Sequence, residues 1–266
     1  MCHIQDLISN IEISLDNKDA FNFYDTNDFL ISNIINQISN HSTNKIFYVT
    51  ENSNKCRLIV EHLEDTWNKQ TFYLGNDVLN SHLDNMSERN RYLNILHFLS
   101  QNNKIKFIEA EGLLSDFNDK INKKTVLLKK GTNLLDRDKL ISELENFGYK
   151  KSQFTEKLGD YSVRGSIVDV FTPSFTLPIR IEFYNDILSS INTFNIESER
   201  RLKESLDELS IISIVKEPTS SENMLVMDHI NNSIIITDYS IENLICLLYT
   251  SPSPRDQRGS RMPGCA

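Results

Sequence analysis

The chain has 266 residues, enough for two modest domains and a sizeable core, and its 39% hydrophobic and 24% charged content is that of an ordinary folded protein. Its formal charge of −9 argues against a general grip on nucleic acid, where phosphate neutralisation calls for a basic face, although a local basic patch remains compatible with it. No apolar run approaches the roughly 20 residues of a membrane span, and residues 1–10 lack the basic and apolar regions of a signal peptide, so neither a membrane nor a secreted location is expected.

Residues 1–125 alternate helix and strand signals. Ile31, Ile34, Ile35 and Ile38 fall at i, i+3, i+4, i+7, an amphipathic helix that Asp28 could cap. Residues 45–50 (KIFYVT) read as a buried strand, Asn52 or Ser53 opens a helix ending near Leu63, and residues 71–74 form a short strand. Tyr92, Ile95, Leu96 and Leu99 make a second helical stripe beginning after Ser87, followed by a strand at 106–109 and a short helix through Leu113, Leu114 and Phe117. Such alternation predicts a parallel sheet flanked by helices, with Trp67 and the aromatic stripes in the core.

Residues 126–216 are of another kind. A strand at 126–129 precedes a helix at 136–147, with Leu140, Leu144 and Phe147 on one face and Gly148 at its C-terminal cap position. Strands follow at 154–158, 161–171, 179–184, 187–195 and 209–215, an α+β unit with an antiparallel sheet. Residues 218–222 read as a linker, and residues 233–237 (SIIIT) as a buried strand returning the chain to its first domain. From Tyr249 the composition changes: Pro252, Pro254 and Pro263 lie here with Gly259 and Gly264, while Ile, Asn and Lys vanish. Residues 249–266 are expected to be a non-native tail, the alternative being a natural Ser- and Pro-rich one, and the globular part is expected to be the front of a longer protein.

Several chemistries lack their residues. A phosphate loop needs G-x-x-x-x-G-K-[ST], whose backbone amides cradle phosphate, and none of the eight glycines precedes a lysine; Gly259 and Gly264 stand at the glycine spacing but are followed by Cys265-Ala266. Cys2, Cys56, Cys246 and Cys265 are far apart and show no C-x-x-C, so they read as incidental thiols of a reducing cytoplasm, and the six scattered histidines suggest no metal site. No cofactor and no catalytic residue is expected.

The most informative stretch is 159–201, GDYSVRGSIVDVFTPSFTLPIRIEFYNDILSSINTFNIESERR. In residues 179–184, Ile179, Ile181 and Phe183 point to one face and Arg180, Glu182 and Tyr184 to the other, a half-buried strand with a cationic and aromatic outer face. The residues Tyr161, Arg164, Gly165, Ile167–Phe171, then Pro178, Arg180–Phe183, Asp186, Ile187, then Phe194, Asn195, Ser198 and Arg200 follow the pattern Y-x-x-R-G-[GASD]-[ILV]-[ILV]-D-[ILV]-F-P, P-x-R-[ILV]-[DE]-F-F-x-D-E-I and F-[DN]-x-x-[ST]-Q-R. This pattern resembles the small inserted domain shared by the excision-repair protein UvrB and the transcription-repair coupling factors (Mfd). Lys129-Lys130-Gly131, Leu135, Arg137, Leu140, Leu144 and Gly148-Tyr149 resemble its lead-in, and the likeness runs over about residues 25–216. UvrB carries a phosphate loop near its start, whereas residues 41–45 here hold no glycine, which sorts the chain toward the coupling factors.

The resemblance implies an α/β fold: a parallel-sheet RecA/UvrB-like domain without a P-loop, at 1–125, into which an α+β domain with an antiparallel sheet is inserted at 126–216, with 217–248 returning to the first. It implies a cytoplasmic bacterial adaptor, monomeric, that binds UvrA to couple stalled transcription to nucleotide excision repair. RNA polymerase, DNA and ATP would be engaged only by motor domains beyond this chain, and in the full-length family the carboxy-terminal domain masks the docking surface until activation. Carried over position by position, the UvrA-binding residues are Arg164, Arg180 and Tyr184, the last standing where the family has Phe. The residues themselves leave another reading open, in which Arg164 and Arg180 merely pair with Glu182 or Asp169 on a solvated sheet face. Gly165 is expected to serve a bulge or close approach, and Asp169 to hydrogen-bond a turn. Asn185 and Ile187–Leu188 depart from the family's usual G-D-E, which puts the detail of that turn in question but not the strands around it. The rival functions are a UvrB-type helicase fragment and a DNA-binding module.

Overall fold

A computed structural model describes residues 27–50, 52–75, 85–117, 119, 123–132, 135–217, 224–230 and 233–238. The expectations made for residues 218–222 and 249–266, and for Cys2, Cys246 and Cys265, lie outside them. In chain order the elements are α1 (Asp28–His41), β1 (Lys45–Thr50), α2 (Ser53–Glu61) continued by a π turn at His62–Thr66, β2 (Thr71–Leu74), α3 (Asn85–Ser100), β3 (Ile105–Glu109), α4 (Ala110–Leu113) and β4 (Thr125–Lys129). Then come α5 (Arg137–Asn146), β5 (Lys150–Lys151), β6 (Asp160–Arg164), β7 (Ile167–Val170), β8 (Ile179–Tyr184), β9 (Ile187–Phe194), β10 (Arg201–Ser205), β11 (Glu208–Ile212), a 3-10 turn at Val226–His229 and β12 (Ser233–Thr237). The chain is mixed α/β, with a parallel and an antiparallel sheet. It divides into two compact units, Met1–Thr71 with Lys104–Leu114 and Asn232–Ala266, and Phe72–Asn103 with Ser115–Asn231.

In the first unit, β1 lies between β12 and β3, both parallel to it, with Ile46 opposite Ile234 and Ile105. Buried at five of six and at all five positions, β1 and β3 carry near-continuous apolar runs because a parallel sheet is covered on both faces. The Ile31, Ile34, Ile35 and Ile38 stripe of α1 is buried. Its cap is Asn27, whose Oδ1 accepts from the Leu30 amide at 2.8 Å, while Asp28 sits in the first turn, where a carboxylate favours the helix dipole. Asn52 caps α2. Trp67 is only half-buried and packs against the exposed Phe29 ring at 5.7 Å, a surface cluster and not the core position expected. Asp238, just past β12, accepts from Tyr48 Oη, from Thr50 Oγ1 at 2.7 Å and from Lys55 Nζ at 2.8 Å, tying β12 to β1 and α2. Cys56 is fully buried, and burial, ahead of the nearby Glu109 and Asp238 carboxylates, pushes its thiol up to about 12, as suits an inert side chain.

The second unit holds a six-stranded sheet of order β10-β9-β8-β7-β6-β5, antiparallel except for the β5–β6 pair, and a two-stranded β4–β11 ladder. Asp136 caps α5, its Oδ1 accepting from Lys139 N at 2.8 Å, and Gly148 follows it at φ +86, the left-handed conformation that ends helices. The strand expected over 161–171 is two strands, because Gly165 at φ +60 and Ser166 form a two-residue hairpin loop that pairs Arg164 with Ile167. A Cβ added at Gly165 would meet open space, so the positive φ, and no bulge or close approach, favours glycine there. Residues 154–158 are not a strand. Thr155 is buried and donates to Ser162 Oγ at 3.0 Å, so the segment lies against the sheet without joining it. Strands β5 and β10 were not legible in the sequence. Helix α3 belongs to this unit: Arg89 Nη2 donates to Gly148 O at 3.0 Å, Gln101 Nε2 to Pro173 O at 2.7 Å, and the Tyr92 ring stacks on Phe117 at 5.7 Å. Among the described residues no helix is long and apolar enough to cross a membrane.

Lys106, on β3, is 1% exposed, with Nζ 5.8 Å from the Phe47 ring centroid, and burial lowers its ammonium to about 7. The unfolded chain therefore binds more protons than the folded one between about pH 7 and 10.5, and stability rises with pH across that window. Below about pH 7 both states are protonated and the penalty of burying the charge is constant. Lys106→Met should remove the rise and stabilise the chain most near neutral and mildly acid pH. Denaturant melts at about pH 6, 8 and 9.5 check this, and an unaltered pH slope in the variant would contradict it.

Candidate docking surface

The antiparallel sheet has two unlike faces. The strand registers align Val163, Val168, Ile181 and Ile191 on the inner face, and Val168, Ile181 and Ile191 are fully buried. On the outer face the same registers align Ser162, Asp169, Arg180 and Asn192, and one step along, Arg164, Ile167, Glu182 and Ser190. The period of two that separates these rows is what the sequence alternation expresses.

Asp169 and Arg180 face each other across β7 and β8. Arg180 donates from Nε to Oδ1 and from Nη2 to Oδ2, both at 2.8 Å, a bidentate fork with the carboxylate 1% and the guanidinium side chain 13% exposed. Asp169 therefore accepts an arginine and not a turn amide, because its strand places it opposite a cation and away from any turn. The remaining nitrogen, Nη1, donates to the Glu199 carbonyl at 3.3 Å, and the guanidinium lies 4.7 Å from the Phe194 ring centroid. The hydrogen bonds to Asp169 hold the Arg180 guanidinium above its ordinary pKa.

Arg164 closes the β6 side. Its Nη1 donates to Glu199 Oε2 at 2.9 Å, and its guanidinium stands 5.2 Å from the Phe154 ring centroid. This hydrogen bond keeps the Glu199 carboxyl below the usual carboxylate range. Glu182 is taken by Arg201 and by Ser190 Oγ at 2.8 Å. Arg164 and Arg180 thus meet at one residue, Glu199, and neither pairs with Glu182. Tyr184 stands apart at the end of β8, 73% exposed and about 13 Å along the strand from Arg180. It pairs with Ile187 across a two-residue loop in which Asn185 (φ +48) and Asp186 (φ +64) are both left-handed, a turn that Asn and Asp adopt readily. The departure from the family's usual G-D-E is thereby accommodated.

Glu199 and Phe154 went unnoticed in the sequence. The one signal for Glu199 was its loop: Asn195 Oδ1 accepts from Ser198 N at 2.9 Å, and Asn195 N donates to Arg200 O at 3.0 Å, an N-x-x-S turn that swings Glu199 (φ +51) back over the sheet. Among the described residues no group of three or more His, Cys, Asp or Glu could hold a metal.

The two arginines should respond differently to truncation. Arg180→Ala leaves a buried carboxylate unpaired and should cost about 3–5 kcal/mol, whereas Arg164→Ala breaks an exposed pair and should cost at most about 1 kcal/mol. Denaturant unfolding of the two variants checks this, and equal losses would refute it.

The UvrB interaction domain family matches residues 126–215. The chain is also similar to the transcription-repair-coupling factors of Myxococcus xanthus (39% identical over 77 residues, 29% of this chain and 6% of that protein) and of Haemophilus influenzae (36% over 90 residues, 34% of this chain and 7% of that protein). That of Staphylococcus aureus strain bovine RF122 is 36% identical over 77 residues, 29% of this chain and 6% of that protein. The matched segments thus span 6–7% of the length of these relatives. Residues 126–215 are thus similar to the UvrB interaction domain family, and the chain is similar to transcription-repair-coupling factors over 29–34% of its length.

Proposed function

We propose that the chain acts as an adaptor that binds UvrA through the outer face of its antiparallel sheet, in the coupling of stalled transcription to nucleotide excision repair. The observation that carries this reading is that the family-matched segment folds into a sheet displaying to solvent Tyr184 and Arg164, the latter within an exposed pair with Glu199. Arg and Tyr are favoured anchors at protein interfaces, offering a planar donor fork and a rigid ring. Arg180 supports the face from beneath, since its side chain is largely covered and committed to Asp169. In this reading the chain performs no catalytic step and holds no cofactor of its own, and it sits in the bacterial cytoplasm. Contacts to RNA polymerase and DNA belong to other parts of a coupling factor.

The test is co-elution of the purified chain with UvrA on size exclusion. A complex is expected, and Arg164→Ala combined with Tyr184→Ala should weaken it about tenfold or more while leaving the melting temperature near that of the parent. Absence of a complex, or an affinity indifferent to the double substitution, would overturn the proposal. Arg180→Ala is the poorer probe, because lost folding would imitate lost binding.

A further inference from the structure

Three ion pairs populate the outer face of the sheet, and they differ in how firmly they are held. Arg180–Asp169 is buried, with side-chain exposures of 13% and 1%, and Arg201–Glu182 has its carboxylate at 18%. Only in Arg164–Glu199 are both partners well exposed, at 42% and 43%, so this pair is the least costly to open. Its two halves are also built differently. Arg164 rises from a strand whose register is fixed on β7, and its guanidinium lies over the Phe154 ring. Glu199 sits on a loop in a left-handed conformation, its backbone carbonyl held by Arg180. Its carboxylate can leave Arg164 by side-chain rotation while the loop stays pinned.

We propose that Arg164 receives a carboxylate from an acidic segment of the partner, and that Glu199 is a built-in competitor for that place, lowering the affinity of the surface until a partner carboxylate displaces it. Opening the pair leaves one unneutralised guanidinium on a face whose other two arginines remain paired, which suits a single carboxylate in bidentate geometry. The identity of the partner as UvrA rests on the function proposed above; the competitor role does not.

The test uses the full chain and two isocharge variants, Glu199→Gln and Glu197→Gln, the second removing the same charge from an exposed position two residues away in the same loop. Each is titrated with UvrA and, by NMR, with a short oligoglutamate peptide. Glu199→Gln is expected to bind both about two- to fivefold tighter than the parent, the range of an exposed pair, with Glu197→Gln unchanged. Equal or weaker peptide binding by Glu199→Gln, an equal gain in Glu197→Gln, or no peptide binding by any of the three chains overturns the competitor. A gain with the peptide but no binding of UvrA would sink the adaptor reading and leave the competitor standing. UvrA binding that ignores Glu199→Gln would do the reverse.

Discussion

A carboxylate buried in the middle of a sheet must be paired, and Asp169 meets that demand through both oxygens with Arg180. This cross-strand fork bears on much of what surrounds it. It pins β7 against β8 in the one register that sends Val168 and Ile181 inward, since a slip of one residue would turn every side chain to the opposite face. It aims the third guanidinium nitrogen at the Glu199 carbonyl, which fixes the loop between β9 and β10, and that loop delivers the Glu199 carboxylate to Arg164. The exposed pair at the surface is therefore positioned by a buried pair beneath it.

The other side of the sheet does a different task. Tyr161 reaches from β6 to Glu145 of α5 at 2.7 Å, and Tyr149 donates to Thr172 Oγ1 and lies within bonding distance of the Ile212 carbonyl, both at 2.9 Å. Asp119, fully buried, accepts from Lys123 and Tyr92 and from the Glu217 amide at 3.1 Å, holding α3 to the end of the domain. The outer face, carried on short hairpins, is thus backed by strands and helices that tie these buried polar groups together, although Arg91 Nε on α3 is buried without a hydrogen-bond partner. In the first unit, by contrast, parallel strands hold a core rich in Ile and Phe, and the polar cluster at Asp238 is satisfied within itself.

Much of this was legible in the sequence where a periodic pattern coincided with burial. The Ile stripe of α1, the strand at 179–184 and the helix ended by Gly148 were read nearly to the residue because one face of each carries apolar side chains at the period of its own backbone, and the strands at 45–50 and 233–237 because each is a short, nearly continuous apolar run. The reading failed where local pattern and long-range pairing part company. Residues 154–158 carry apolar side chains only at their ends, Phe154 and Leu158, and find no ladder, whereas residues 201–205 carry no clean alternation and still form the edge strand of the sheet. Residues 161–171 look like one strand because a Gly-Ser hairpin loop interrupts them for only two positions.

The sequence by itself determined the family-like pattern of the antiparallel segment, the absence of a glycine phosphate loop, and the arginines and tyrosine that face one way along their strands. Those are properties of residue type and spacing, which a chain carries before it folds. Only the tertiary structure decided which charge meets which: that Asp169 takes Arg180, that Glu182 takes Arg201, and that Glu199, 35 residues from Arg164, comes to lie 2.9 Å from it. An ion pair depends on distances set by strand register and loop closure, and neither is written in the local period of the sequence.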